Sequence, residues 1–174
     1  MDINVSTNIG NLPAHVAALS NKVEILRYLK SVGSDINQCN SQGRSLVHLA
    51  AEGDAVDVLN FLKDECNFSL NLDLPDNDGF TPSHCADYHN ALKAIRFLKE
   101  QGANLSISKR NKRTPVHETA QRGALEVLQY IVEDCKMDIN VSTNIGNLPA
   151  HLFVGLSKIY KDLVDIYVVL PDFS

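Results

Sequence analysis

Residues 137–151 read MDINVSTNIGNLPAH, letter for letter the sequence of residues 1–15. The two copies stand 136 residues apart, a distance that divides into four steps of 34. Aligning the intervening chain on the closing histidine finds three more tetrapeptides of the same kind. The series is Leu12-Pro13-Ala14-His15, Ser45-Leu46-Val47-His48, Thr81-Pro82-Ser83-His84, Thr114-Pro115-Val116-His117 and Leu148-Pro149-Ala150-His151. Successive histidines are 33, 36, 33 and 34 residues apart. A period of that length belongs to an array of small stacked units, none of which can bury its apolar face alone.

Each unit has three parts. A turn-rich stretch comes first, around Gly10, Gly43, Gly79 or Gly146. The tetrapeptide then opens a short helix. Thr81 and Thr114 stand where a hydroxyl can accept a backbone N–H, and Pro82 and Pro115 follow at the first helical position, where a missing N–H is harmless. Ser45 keeps the cap without the proline; Leu12 and Leu148 keep the proline without the cap. Small residues follow the histidine (Ala17-Ala18, Ala50-Ala51, Ala86, Thr119-Ala120) and allow close helix approach.

A second, more apolar helix closes the unit. Val23, Ile25, Leu26 and Leu29 recur as Val56, Val58, Leu59 and Leu62, as Leu92, Ala94, Ile95 and Leu98, and as Leu125, Val127, Leu128 and Ile131. These spacings fall on one broad helical face. An aromatic recurs at one place, Tyr28, Phe61, Phe97 and Tyr130, and packing between units is the plainer reading of it than a binding stripe. Gly33 and Gly102 are placed to end second helices in the left-handed conformation; Cys66 and Cys135 stand at the comparable place in the other two units. The link after Asp64 is about three residues longer than its counterparts.

Composition excludes several classes. The chain has 174 residues, 44% of them hydrophobic, enough for a folded array. A net charge of −5 argues against a general nucleic-acid binder. Four cysteines show no CxxC pair, so free thiols in a reducing compartment are expected. No signal peptide opens the chain, and Leu163–Leu170 is too short to cross a bilayer. The expected location is the cytoplasm.

These motifs resemble the ankyrin repeat over nearly the whole chain. Asp76-Asn77-Asp78-Gly79-Phe80-Thr81-Pro82-Ser83-His84-Cys85-Ala86 follows the family pattern DxxGxTPLHxAA, as do Gly33-Ser34-Asp35-Ile36-Asn37 and Gly123-Ala124-Leu125-Glu126-Val127. The resemblance implies an all-α solenoid of stacked helix-turn-helix units with β-hairpin-like fingers. It implies one domain over 1–174, with repeats near 1–34, 35–68, 69–103, 104–137 and 138–174. Lys112 departs from the pattern by replacing the finger glycine of unit four. Unit five departs after His151, and its last helix is apolar. That end is expected to be covered by further chain, a partner or end-to-end self-association.

The resemblance also implies a non-catalytic protein-interaction scaffold, without cofactor or metal, that binds a partner protein on its concave finger and first-helix face. The tetrapeptide histidines His15, His48, His84, His117 and His151 are expected to hydrogen-bond backbone between units. The facing positions include Asn11, Arg44, Phe80, Arg113 and Asn147, with Leu19-Ser20, Glu52, Tyr88-His89 and Gln121-Arg122. Arg44, Phe80, Tyr88, His89, Arg113 and Arg122 are the expected partner contacts, since aromatic and arginine side chains dominate binding energy. Phe80 is expected to be exposed. The finger Lys109-Arg110-Asn111-Lys112-Arg113 suggests an acidic partner, a nucleic acid or a nuclear-import signal, against a solvated loop balanced by Asp73, Asp76 and Asp78. His84, Cys85, Asp87 and His89 cluster in sequence but fit no zinc spacing. A second reading is a fragment of a larger effector or regulatory protein, acting in a host cytosol if secreted.

Overall fold

The computed structural model describes residues 6–8, 10–66, 71–109 and 111–149. Helices come in pairs: α1 (Pro13–Leu19) with α2 (Val23–Ser31), α3 (Leu46–Glu52) with α4 (Val56–Asp64), α5 (Pro82–Tyr88) with α6 (Leu92–Glu100), and α7 (Pro115–Arg122) with α8 (Leu125–Gln129). First helices pack on first helices in the order α1, α3, α5, α7, and second helices on second helices behind them. The protein is thus an all-α solenoid, with no strand among the described residues. The expected hairpin-like fingers are tight turns among the described residues, and the expected last, apolar helix, like His151, falls outside those residues.

Apolar periodicity sets the stacking. Leu26, Leu59, Ile95 and Leu128 are buried, as are Leu29, Leu62 and Leu98 of the same helices and Ile131 just past α8. Burying a side chain of this size contributes about 1.5–3 kcal/mol. The turn between helices uses Asn21, Asp54, Asn90 and Gly123, all at positive φ, where Asn, Asp and Gly are tolerated. Two of these also reach forward: Asn21 Oδ1 accepts Val58 N–H at 3.2 Å and Asp54 Oδ1 accepts Ala94 N–H at 2.8 Å. Each side chain therefore satisfies a first-turn donor of the next unit's second helix. Gly53 is required by proximity, because a Cβ there would stand 2.0 Å from the Leu19 carbonyl oxygen.

The tetrapeptide histidine joins units. Backbone N–H groups of Ser45, Thr81 and Thr114 donate to Nδ1 of His48, His84 and His117 at 3.2, 3.3 and 3.2 Å. An acceptor Nδ1 leaves the proton on Nε2, which donates to Phe80 O, Arg113 O and Asn147 O of the following finger at 3.1, 3.2 and 3.3 Å. The histidine takes the part that glutamate plays in a capping box. Thr81 Oγ1 accepts His84 N–H at 3.5 Å as expected. Thr114 and His117 form the same reciprocal capping box, the Thr114 hydroxyl lying 2.9 Å from His117 Nδ1. His15 Nδ1 accepts Leu12 N–H at 3.2 Å, but its Nε2 makes no hydrogen bond of normal geometry.

Gly33 and Gly102 adopt φ of +84° and +90° past their helices, as the sequence suggests. Unit four differs. It carries one more residue before its closing turn, and the extra residue is taken up by a π turn over Tyr130–Asp134, where Cys135 N–H donates to Tyr130 O at 3.1 Å. Lys136 then stands at φ +55° in place of glycine.

Candidate functional site: an aromatic and charged face

Four of the five finger turns share one frame. The residue that opens the turn accepts the backbone N–H of the residue four places on: Thr7 Oγ1 from Asn11, Asn40 Oδ1 from Arg44, Asp76 Oδ1 from Phe80, and Thr143 Oγ1 from Asn147, at 3.1, 2.9, 2.8 and 3.0 Å. In unit four this position is Lys109, which cannot accept, and Arg113 N–H turns to Asn111 Oδ1 at 3.1 Å. The side chain that the turn gives up goes elsewhere. Lys109 Nζ lies 2.7 Å from Glu118 Oε1 and 3.6 Å from the centroid of the Phe80 ring.

Around that contact the expected partner residues assemble into one continuous band. Arg44 bridges Asp76 Oδ2 and Glu52 Oε2, both at 2.9 Å, and its guanidinium stands 6.0 Å from the Phe80 centroid. Phe80 meets Tyr88 edge to face at 6.3 Å, a favourable geometry for aromatic pairs. The Arg122 guanidinium lies 3.6 Å over Tyr88, and His89 is tilted 5.1 Å from the same ring. Arg113 joins through Glu118, 3.1 Å from Oε1, and bonds Gln121. Arg44, Glu52, Asp78, Phe80, Tyr88 and His89 line a cleft of about 320 Å³.

Two expectations are corrected here. Phe80 is not exposed: it is half-buried, because cations stand over its ring and Tyr88 and His84 against its edge. The basic finger is not balanced by the acids of the preceding finger. Asp76 belongs to Arg44, and Lys109 and Arg113 fold back on Glu118, which is buried. Arg110 lies outside the described residues, and Lys112 is exposed at φ +61°. Glu118 is the member of the band that sequence reasoning missed, and Lys109 and Asp76 were read only as finger charges. The position of Glu118 in the period holds Val16, Leu49 and Cys85 in the other units, so a lone acid there was a readable signal.

Titration follows burial. Burial pushes the Cys85 thiol up to about 12 and the His84 imidazole down to about 4. A nucleophilic cysteine needs a lowered pKa, so Cys85 is set against that chemistry. Asp87 is fully enclosed with neither carboxylate oxygen hydrogen-bonded; burial first, then the Glu118 charge, holds its pKa well above the usual carboxylate range. Of the sequence cluster, His84, Cys85 and Asp87 are buried, while His89 is turned outward 3.7 Å from Glu52 Oε1. The described residues hold no group of three or more His, Cys, Asp or Glu placed to bind a metal. No helix among them is long and apolar enough to cross a membrane.

The family profile for ankyrin repeats (three copies) matches residues 14–111 and 63–145. The chain belongs to the ankyrin-repeat family. Among curated proteins, this ankyrin-repeat chain is similar to the transient receptor potential cation channel subfamily A member 1 of Homo sapiens. The two are 33% identical over 72 residues, which is 41% of this chain and 6% of the channel. It is similar to alpha-latrotoxin-Lh1a of Latrodectus hasselti, 31% identical over 87 residues, 49% of this chain and 6% of the toxin. An ankyrin repeat protein of Borreliella burgdorferi is 38% identical over 50 residues, 29% of this chain and 23% of the relative. The matched stretch is thus a small part of the length of each.

Proposed function

We propose that this ankyrin array is a non-catalytic protein-interaction module that binds a partner protein on the face formed by its fingers and first helices, centred on Phe80 and Tyr88. The observation that carries this reading is the Lys109–Phe80–Tyr88–Arg122 stack, with rings and cations at 3.6, 6.3 and 3.6 Å. Half-buried aromatics flanked by arginines are the residue types that dominate interfaces. Their rotamers are held by neighbours before any partner arrives, so little side-chain freedom is left to lose on binding. Arg44, His89, Arg113 and Arg122 supply the polar contacts around the rings.

Affinity capture with the wild-type protein and with Phe80→Ala/Tyr88→Ala tests this reading. Loss of specific bound proteins from the variant supports it. An unchanged set of bound proteins, with the variant folded, removes it.

A second reading is that the array is one part of a longer regulatory or effector protein. What favours it is that the stretches matching this chain make up only 6% of the length of a cation channel and of a latrotoxin, and fold does not fix function. Nucleic-acid binding through the finger 109–113 is disfavoured by geometry, since Lys109 and Arg113 already neutralise a buried carboxylate and are 9% and 19% exposed.

A further inference from the structure

The aromatic face is not uniform in charge. Its cleft, lined by Arg44, Glu52, Asp78, Phe80, Tyr88 and His89, encloses about 320 Å³ between units two and three. Unit one stands on one side of it and unit four on the other, so its shape owes nothing to where the chain begins or ends. Of the lining residues only Arg44 carries a fixed positive charge, and that charge is already engaged. Its guanidinium reaches Glu52 Oε2 and Asp76 Oδ2, both at 2.9 Å. Two carboxylates thus share one cation. A third, Asp78, is exposed in the same finger as Asp76 and has no ion pair among the described residues. Glu52 turns its other oxygen, Oε1, toward His89 at 3.7 Å, too long for a hydrogen bond.

The rings beside these acids are suited to cations. Within the chain itself, Lys109 Nζ stands 3.6 Å from the Phe80 centroid and the Arg122 guanidinium 3.6 Å from that of Tyr88, the attraction of an aromatic face for positive charge. Neither cation lines the cleft. The basic finger does not reverse the local balance either, because Lys109 and Arg113 are held by Glu118. The chain as a whole carries a net charge of −5, a field that draws basic partners.

We infer that the partner protein presents a lysine or arginine side chain to this cleft, its alkyl stem against Phe80 and Tyr88 and its charge between Asp78 and Glu52. The inference rests on the interaction reading above and names the chemistry of the partner. That partner is a basic segment, not the acidic one that residues 109–113 suggest by sequence. A carboxylate placed here would meet Asp78 and the Glu52–Arg44–Asp76 group with no cation of the cleft left to receive it, and like charges brought together are costly. A purely apolar side chain would cover carboxylate oxygens and return no hydrogen bond to them. The long stem of a lysine or arginine covers the rings while its charge reaches the rim.

Selection of a displayed random-peptide library on the wild-type protein, followed by fluorescence anisotropy of the enriched peptides, tests the inference. Enriched peptides are expected to share a lysine or arginine and to bind Asp78→Lys at least about tenfold more weakly than wild type. Their affinity is expected to fall as salt rises. Asp78 is exposed and Gln42 holds the same place in unit two, so the variant is expected to keep its helical circular dichroism. Enrichment of acidic peptides, of peptides without a shared cation, or of none would overturn the inference, as would unchanged affinity for Asp78→Lys. Phe80→Ala/Tyr88→Ala separates that failure from failure of the underlying reading. Peptides of any charge that lose affinity for this variant leave the proposed surface standing, and peptides that bind it unchanged remove the surface as well.

Discussion

Glu118 Oε1 stands 2.7 Å from Lys109 Nζ, on a carboxylate that is 2% exposed. Every other unit places an aliphatic side chain or a thiol at the Glu118 position and a neutral or acidic residue at the Lys109 position. Two departures from the repeat thus meet each other, and Arg113 completes the group at 3.1 Å. The contact fixes Lys109 and Arg113 of the basic finger against a buried carboxylate beside the aromatic face.

Removing one partner of a buried ion pair leaves the other uncompensated and costs about 3–5 kcal/mol. Glu118→Gln is expected to lower stability in urea by an amount near the lower end of that range. It should also free Lys109 and Arg113, so that the variant is retained on heparin more strongly than wild type at low salt. Unchanged stability and retention would contradict the pairing.

Asp87 occupies a place that holds Ala18, Ala51 and Ala120 in units one, two and four. Its folded pKa is raised by burial and by Glu118, so the native state keeps a proton that the unfolded chain releases near pH 3.9. The native state binds more protons above that point, and this contribution to stability is full below it and lost as pH rises toward the folded value. Asp87→Ala is expected to be more stable at pH 7 by about 1–3 kcal/mol, with that decline abolished. Urea midpoints across pH decide it; a destabilised variant at pH 7 would show that the carboxylate has a partner.

The histidines act with the opposite sign. Burial lowers the pKa of His15, His48, His84 and His117, to about 4 for His84. Between the folded values and the unfolded 6.5 the unfolded chain binds more protons, so stability is full above pH 6.5 and falls as pH drops through that window. Each tenfold change in proton affinity is worth about 1.4 kcal/mol, so His84 alone accounts for a loss of a few kcal/mol. Chemical denaturation of wild type and His84→Gln between pH 7 and pH 4.5 checks this, the variant being weaker at pH 7 but less pH-dependent.

Lys112 sits at φ +61° where the other fingers have glycine at +73° to +87°. A left-handed conformation costs a side-chain-bearing residue roughly 1–2 kcal/mol, partly offset by the greater freedom of glycine in the unfolded chain. Lys112→Gly is expected to raise stability by about 0.5–1 kcal/mol, read from the urea midpoint. A fall in stability would mean that Lys112 makes a contact worth more than the strain.

Helix starts and the buried face were legible because Pro82, Pro115 and the recurring Leu26, Leu59, Ile95 and Leu128 act through local geometry and period alone. That Arg44, Phe80, Tyr88 and Arg122 share one face was legible from their positions in the period. What joins them was not. Lys109 and Asp76 read as loop charges until the turn folded one onto Phe80 and the other onto Arg44. The π turn at Tyr130–Asp134 follows from a single extra residue whose accommodation depends on the neighbouring unit, not on local propensity. Tyr28 shares the recurring aromatic position of Phe61 and Phe97, and no local signal separates it from them; only its place in the stack exposes it.

The central claim is that adjoining units are tied through a histidine whose Nε2–H donates to the next finger. Long-range proton–nitrogen correlation spectra of the histidine side chains measure this directly. The account predicts that His48, His84 and His117 remain neutral, protonated on Nε2 and unprotonated on Nδ1 at pH 7, with His84 not titrating until near pH 4. Protonation of these rings near pH 6.5, or a proton on Nδ1, would contradict it.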